Sequence, residues 1–243
     1  MLPPIDLVAI SHDHYDHLDY PTIRALAKTN VPFVTSLGVG AHLEAWGVAP
    51  ERITELDWWE THHLRGLSVT AAPSQHFSGR GLGGRNGTLW SALVIHTDRH
   101  RVFFSGDTGL TSEYRVIRDR LGPFDLVMLE VGAWYPAWGD MHLGPENALK
   151  ALEMLGGGPF LPIHWGTFAL AMHPWDEPAE VLLERATGKN AGNINLLMPR
   201  LGVPVEPSHG LKLEPWWRAA GGEQGVMELG EAVGPNGIGW PAD

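Results

Sequence analysis

Ser11-His12-Asp13-His14-Tyr15-Asp16-His17-Leu18-Asp19 is the stretch that decides how this chain is read. His12, His14, Asp16 and His17 fall within six residues, directly behind the apolar run Leu7-Val8-Ala9-Ile10. Neutral imidazoles and carboxylates are the ligands that zinc and similar divalent ions prefer. One residue separates His12 from His14, so an extended loop can point both at one ion. Asp16 and His17 lie on the following turn and can face a second.

Outward from the loop, the pattern is layered α/β structure. Residues 5–10 form a continuous apolar run with a Pro-Pro start and a polar stop, which predicts a buried strand. Asp19 is placed to cap a helix with Pro21 in its first turn, running to about residue 28. Residues 31–35 read as the next strand, and 40–46 as a short helix stopped by Gly47. Such alternation implies α/β layering. Residues 53–56, 58–63, 68–72, 90–97 and 101–105 then predict strands joined by short turns, hence antiparallel hairpins. A Gly- and Ser-rich loop, 73–88, interrupts them, and long loops in compact domains are often functional. Helices are expected over 112–120, 145–155 and 177–186, and strands over 125–130 and 160–163. After residue 188 the signals thin, with short strands expected at 195–198 and 203–213. Dense Gly and Pro from Ala219 onward predict a loose tail. The expected organisation is one domain over 1–215 and a tail over 216–243.

Composition narrows the chemistry. With 243 residues, 44% apolar and 19% charged, the chain has material for a substantial core. It has no cysteine, so any metal must be held by His, Asp, Glu or water. A net charge of −11 repels nucleic-acid phosphates, which argues against a sequence-independent nucleic-acid binder. There is no apolar run of about eighteen residues, so no transmembrane helix is expected, although peripheral membrane contact stays open. The start, Met-Leu-Pro-Pro-Ile-Asp, lacks a basic and apolar leader, and a cytoplasmic protein is the resulting expectation.

Three more expected strand ends carry ligand types: His76 after 68–72, Asp107 after 101–105 and His164 after 160–163. Loops at strand ends are where a rigid scaffold assembles a site. His76 can join His12 and His14, His164 can join Asp16 and His17, and Asp107 can bridge the two sets. Each ion then has three or four N/O ligands and room for water, the mark of a catalytic site. Two divalent ions about 3.5–4 Å apart can share a hydroxide, formed near neutral pH, that attacks a phosphorus or carbonyl centre. Zinc is the default ion, and iron and manganese accept the same donors. His42, His62, His63, His96, His100, His173 and His209 read as ordinary core or surface residues.

His12-Asp13-His14-Tyr15-Asp16-His17 resembles the HxHxDH motif of the metallo-β-lactamase superfamily, and His76, Asp107 and His164 follow in that superfamily's order. The resemblance implies an αββα sandwich, two mixed sheets packed face to face with helices outside. Gln75-His76-Phe77-Ser78-Gly79-Arg80, Arg85-Asn86-Gly87-Thr88-Leu89-Trp90 and Ser105-Gly106-Asp107-Thr108-Gly109 narrow it further. With Trp134-Tyr135-Pro136, Met141-His142-Leu143-Gly144-Pro145-Glu146 and Ile163-His164-Trp165-Gly166-Thr167, they are similar to the branch containing N-acyl-phosphatidylethanolamine phospholipase D. The likeness covers residues 2–186. It implies that Asp16, Asp107 and His142 serve catalysis, with His142 a substrate-side imidazole rather than a ligand. From the residues alone, His142 reads equally as a surface histidine at the start of a helix. Members of this family carry a block of strands ahead of the metal loop. Here the motif begins at residue 12, so the fold is expected to lack that block and to expose a sheet edge and an apolar face.

The branch implies a phosphodiesterase acting on a phospholipid-like or small phosphodiester. Arg80 and Arg85 could receive phosphate oxygens, or be solvated loop arginines. Trp134 and Tyr135, with Trp138, could wall an acyl chain, while Trp90 reads as core. A sugar-phosphate lactonase would direct the same hydroxide at a ring carbonyl. A non-catalytic metal-binding relative is the reading from another class, and the full ligand set argues against it.

Overall fold

The apolar run before the histidine cluster forms β1 (Val8–Ile10), the edge of a three-stranded parallel sheet ordered β1, β2 (Phe33–Ser36), β3 (Ile53–Leu56). The structure is a computed structural model and describes residues 3–81, 83–188, 194–209 and 212–220. A second sheet holds six strands in chain order: β4 (Thr61–Leu64), β5 (Leu67–Ala72), β6 (Ala92–His96), β7 (Arg101–Phe104), β8 (Leu126–Glu130) and β9 (Phe160–Ile163). Strands β4 to β7 pair antiparallel, and β7, β8 and β9 pair parallel. Both β5 and β7 therefore oppose β6, so β5, β7, β8 and β9 run the same way. Their C-terminal ends, and the loops that follow, gather along one rim.

Helices cover both outer faces. Helix α1 (Tyr20–Leu26) starts as its sequence predicts: the Asp19 carboxylate accepts the Thr22 N–H at 2.8 Å and its hydroxyl at 2.6 Å, and Pro21 occupies the first turn. With α2 (Gly40–Ala45), it buries Ile23 and Leu43 against Phe33. Helices α3 (Glu113–Leu121), α4 (Gly144–Met154) and α5 (Glu177–Thr187) cover the larger sheet. In α4 the buried residues Pro145, Ala148, Ala151 and Leu152 recur at helical spacing and form one apolar stripe. That stripe and Ile117 meet Phe103, Val127 and Leu129 from the strands. A third core, Val34 and Leu56 against Val69, Ala71 and Leu93, fills the space between the sheets. Three cores between four layers make the αββα sandwich that the motifs imply.

The inner core thins toward β1, where Leu7, Ala9, Ile95 and Phe104 are only partly buried. Among the described residues β1 pairs with β2 alone.

Some local expectations change. The strand expected over 58–63 begins at Thr61, because Trp58 and Trp59 form a turn with Trp59 at φ 73°. Of the strand expected at 195–198, a single bridge from Leu196 to Phe160 remains. Described residues within 203–213 contain no strand; Pro204 and Pro207 cannot donate to a ladder, and Pro207–His209 form one tight turn of 3-10 helix. Residue 216 is not the start of a loose tail. Trp216–Ala220 is helix α6, with Trp217 1% exposed inside the large core. The Trp217 Nε1 donates to Glu180 at 2.7 Å, and Arg218 donates to both Glu180 oxygens at 2.8 and 2.6 Å. A five-residue helix is marginal alone, so docking of the indole holds it. Residues 221–243 lie outside the described residues.

This packing makes Trp217→Ala a core truncation, expected to lower the unfolding free energy by about 3–5 kcal/mol in urea titration. A loss below about 1 kcal/mol, ordinary for a surface change, would return the segment to the tail.

Candidate metal centre

The rim of strand ends receives every ligand named from the sequence. His12, His14, Asp16 and His17 follow β1, His76 follows β5, Asp107 follows β7 and His164 follows β9. They form two groups with donor atoms within 4.8 Å of one another: His12, His14, His76 and Asp107, and Asp16, His17, Asp107 and His164. Asp107 belongs to both. Its Oδ2 lies 3.1 Å from His17 Nε2, 3.7 Å from His76 Nε2 and 3.8 Å from His12 Nε2, and its Oδ1 lies 3.4 Å from His164 Nε2. Asp16 Oδ2 lies 3.3 Å from both His17 and His164.

The donor chemistry fits divalent cations better than protons. His14 Nδ1 stands 3.0 Å from His12 Nε2 and 3.2 Å from His76 Nε2. One N–H cannot serve two such partners. His76 Nδ1 faces the Met141 carbonyl at 3.1 Å, and a carbonyl only accepts, so Nδ1 carries the proton and Nε2 offers a lone pair. Asp107 Oδ1 is buried without a hydrogen-bond partner. Lone pairs converging on one point with an orphaned carboxylate oxygen describe a ligand set for a cation.

The electrostatics divide the two groups. Burial holds His12 well below the usual imidazole range and pulls His76 down to about 4, so this group stays neutral. Burial also disfavours charge on His17, but hydrogen bonds to Asp107 and Asp16 outweigh it and push His17 up to about 10. Burial likewise opposes ionisation of Asp16, and hydrogen bonds from His164 and His17 reverse it. The protein thus builds one neutral pocket of imidazoles and one carboxylate-rich pocket that attracts positive charge.

Several supporting residues carry no motif. Asp13, 2% exposed, accepts the Gly79 N–H at 2.8 Å and lies 3.5 Å from His42 Nε2. Burial works against its charge, yet the contacts with His42 and Gly79 hold it at about 2. Glu130 is wholly buried at the end of β8, behind His142. Its only sequence signal was a carboxylate closing the apolar strand Leu126-Val127-Met128-Leu129. Gly106, at φ 57°, passes so close to Ser11 that a Cβ would press on the Ser11 side chain. A Cβ on Gly132 would overlap the His164 carbonyl oxygen. His164 itself sits at φ 63°, a left-handed conformation that costs about 1–3 kcal/mol and is kept where surrounding structure enforces it.

The expected substrate residues separate. Arg80 Nη1 is engaged by the carbonyls of Asp13 at 2.7 Å and Leu18 at 2.8 Å, and the guanidinium lies over Tyr15 and Trp46 at 4.1 and 5.0 Å. Through Nη1, Arg80 clamps the ligand loop, whose carbonyls have no ladder partner to satisfy them. Arg85 is exposed and lies 4.7 Å over Phe77, whose ring packs 4.7 Å from both His14 and His76. Trp134 stacks on His173 at 4.1 Å, and Tyr135 and Trp138 stand exposed beside it. Trp90 is partly buried and donates from Nε1 to the Ser74 carbonyl at 2.9 Å, a structural use. His142 is no surface histidine: its ring lies 5.2 Å from His76 and stacks on His164 at 5.6 Å.

Comparison with known proteins adds an independent line. Residues 1–165 match the β-lactamase superfamily domain. An uncharacterised protein of Mycobacterium tuberculosis is 47% identical over 221 residues, covering 89% of this chain and 58% of that protein. N-acyl-phosphatidylethanolamine-hydrolysing phospholipase D 1 of Caenorhabditis elegans is 29% identical over 214 residues, covering 81% of this chain and 60% of that protein. The chain therefore spans about three fifths of the length of these relatives. A metallo hydrolase of Ignicoccus hospitalis has the same fold, with a TM-score of 0.62 at 22% identity, covering 82% of this chain and 78% of its own.

Gly132→Ala tests the tightness of this arrangement. The added methyl group has to push the His164 backbone away from Asp16 and Asp107. Elemental analysis is expected to find less bound divalent metal than in the unaltered protein, with near-normal far-ultraviolet circular dichroism.

Proposed function

The chain belongs to the metallo-β-lactamase superfamily of metal-dependent hydrolases, on the branch related to N-acyl-phosphatidylethanolamine-hydrolysing phospholipase D, and on that premise we propose that it is a binuclear phosphodiesterase for phospholipid-like substrates. The observation that carries the binuclear reading is the shared carboxylate: Asp107 Oδ2 faces His12 and His76 on one side and His17 on the other. His12, His14 and His76 would hold one ion, Asp16, His17 and His164 the other, and Asp107 both. Divalent ions at these positions supply Lewis acidity and bring the pKa of a bound water to about 7.

The chain's own residues do the rest. Asp16 and Asp107 are the catalytic carboxylates that fix where positive charge stands relative to the phosphorus. His142, beside both ligand groups, is the imidazole on the substrate side. Arg85, exposed at the mouth over Phe77, is placed for a charge-assisted contact with a phosphate oxygen. The walls favour an acyl-bearing substrate. Trp134 and Tyr135 follow the end of β8, and the segment after His164 exposes Phe168, Leu170 and Met172. Together they offer apolar surface next to a charged centre, as a molecule with a phosphate head and a hydrocarbon tail requires.

Purified protein is expected to carry close to two equivalents of zinc, iron or manganese by elemental analysis. It should hydrolyse bis(p-nitrophenyl) phosphate, with activity falling to background in Asp107→Ala and after chelation. Less than one equivalent of metal would exclude the binuclear site. Hydrolysis of lactones without hydrolysis of phosphodiesters would reassign the reaction to attack on a ring carbonyl.

A further inference from the structure

Glu130 has no exposed surface and lies outside the ligand groups around His12 and His17, but its carboxylate falls in a third cluster with Asp107, His142 and His164. Its two oxygens are engaged unequally. Oε1 accepts the backbone N–H of Thr108 at 3.0 Å and of Leu143 at 3.1 Å. His142 Nδ1 lies 3.2 Å from Oε1 and 3.0 Å from Oε2. The same oxygen is 3.9 Å from His164 Nδ1, beyond hydrogen-bond reach. Two backbone N–H groups on Oε1 favour the charged carboxylate, and to a charged carboxylate His142 Nδ1 is the donor. The opposite ring nitrogen, Nε2, then keeps its lone pair.

The backbone makes this orientation stiff. The N–H of Glu130 donates to Ser105 Oγ at 3.0 Å, tying β8 to the loop that carries Asp107. Leu143, next to His142, is held by the same carboxylate. Glu130 thus grips both the side chain of His142 and the peptide that follows it.

We propose that Glu130 is a positioning residue for His142, fixing its imidazole in the Nδ1–H tautomer so that Nε2 accepts a hydrogen bond from the attacking water. The proposal rests on the phosphodiesterase reading for its kinetic consequence, but its structural half stands independently. Glu130→Gln is the discriminating change, because it keeps size and removes one acceptor. The amide oxygen must stay where two backbone N–H groups need it, so the amide NH2 replaces Oε2. That NH2 takes the closer contact to His142 Nδ1, where it can only donate, while the amide oxygen at 3.2 Å already accepts two backbone N–H groups, so the ring proton is expected to move to Nε2.

The test uses the full-length zinc-loaded protein labelled with 15N-histidine, with His142→Ala identifying the His142 resonances. The wild type is expected to show Nδ1–H, and E130Q to show Nε2–H. With bis(p-nitrophenyl) phosphate, E130Q should lose about 10–100-fold in kcat, the range for residues that orient a functional imidazole. KM and zinc content should stay within about twofold of wild type, and E130Q should add nothing in the H142A background, as expected when two residues act as a unit. An Nε2–H tautomer in the wild type, an unchanged tautomer in E130Q, or multiplying kinetic losses would each overturn the proposal. Zinc loss in E130Q would also overturn it, by moving the action of Glu130 to His164. If the wild type hydrolyses no phosphodiester, the functional reading fails, and the tautomer exchange alone decides the role of Glu130.

Discussion

A carboxylate withdrawn from water among four imidazoles is the constraint around which this molecule is arranged. Asp107 is 5% exposed and sees His12, His17, His76 and His164 within 3.8 Å. Burying such a charge is unfavourable unless partners replace the lost hydration. The imidazoles do this unevenly, because burial keeps His12 and His76 neutral while His17 takes up positive charge. Positive charge is therefore favoured at the imidazole on one side of Asp107 and disfavoured at those on the other. Nothing in a hydrophobic core calls for a carboxylate so placed, whereas a site for a divalent cation does.

Holding such ligands in place falls to the backbone. Parallel and antiparallel pairing turns four strands of the large sheet in one direction, which brings their loops to one rim. The ligand loop after β1 has no ladder of its own. Ser36 Oγ and the Ser91 N–H bind the Ser11 carbonyl at 2.8 and 3.0 Å, and Arg80 binds the carbonyls of Asp13 and Leu18. These bonds substitute for a strand and leave the imidazoles free to face inward.

What the sequence made legible was chemistry with a fixed spacing. His12, His14, Asp16 and His17 are close in the chain, so their grouping needs no knowledge of the fold. His76, Asp107 and His164 were readable because each follows an apolar run that predicts a strand. Helix α1 was readable because its cap, Asp19, is local. Glu130 and Asp13 were not, because a buried carboxylate behind a functional residue looks like any other until its partners, some from distant segments, are known. The clamp made by Arg80 was not legible for a related reason: the carbonyls it binds belong to backbone and leave no trace in residue types. Helix α6 was missed because Gly and Pro around it masked two tryptophans whose docking partners, Glu180 among them, lie far back in the chain.

The reach of the ligand set across both sheets gives the candidate metal centre a mechanical meaning. Four ligands hang from a three-residue strand with one neighbour among the described residues, and the others come from the far sheet. His17 and His164 are 147 residues apart in sequence, yet their Nε2 atoms are 3.2 Å apart in space. A cation held by both is therefore a cross-link between the sheets, closing a very long loop in a chain that has no cysteine to make a disulfide. Release of such a cation would remove that link between the sheets. The slowest hydrogen exchange in the ligand loop and the residence time of the metal should then be set by the same opening of the protein.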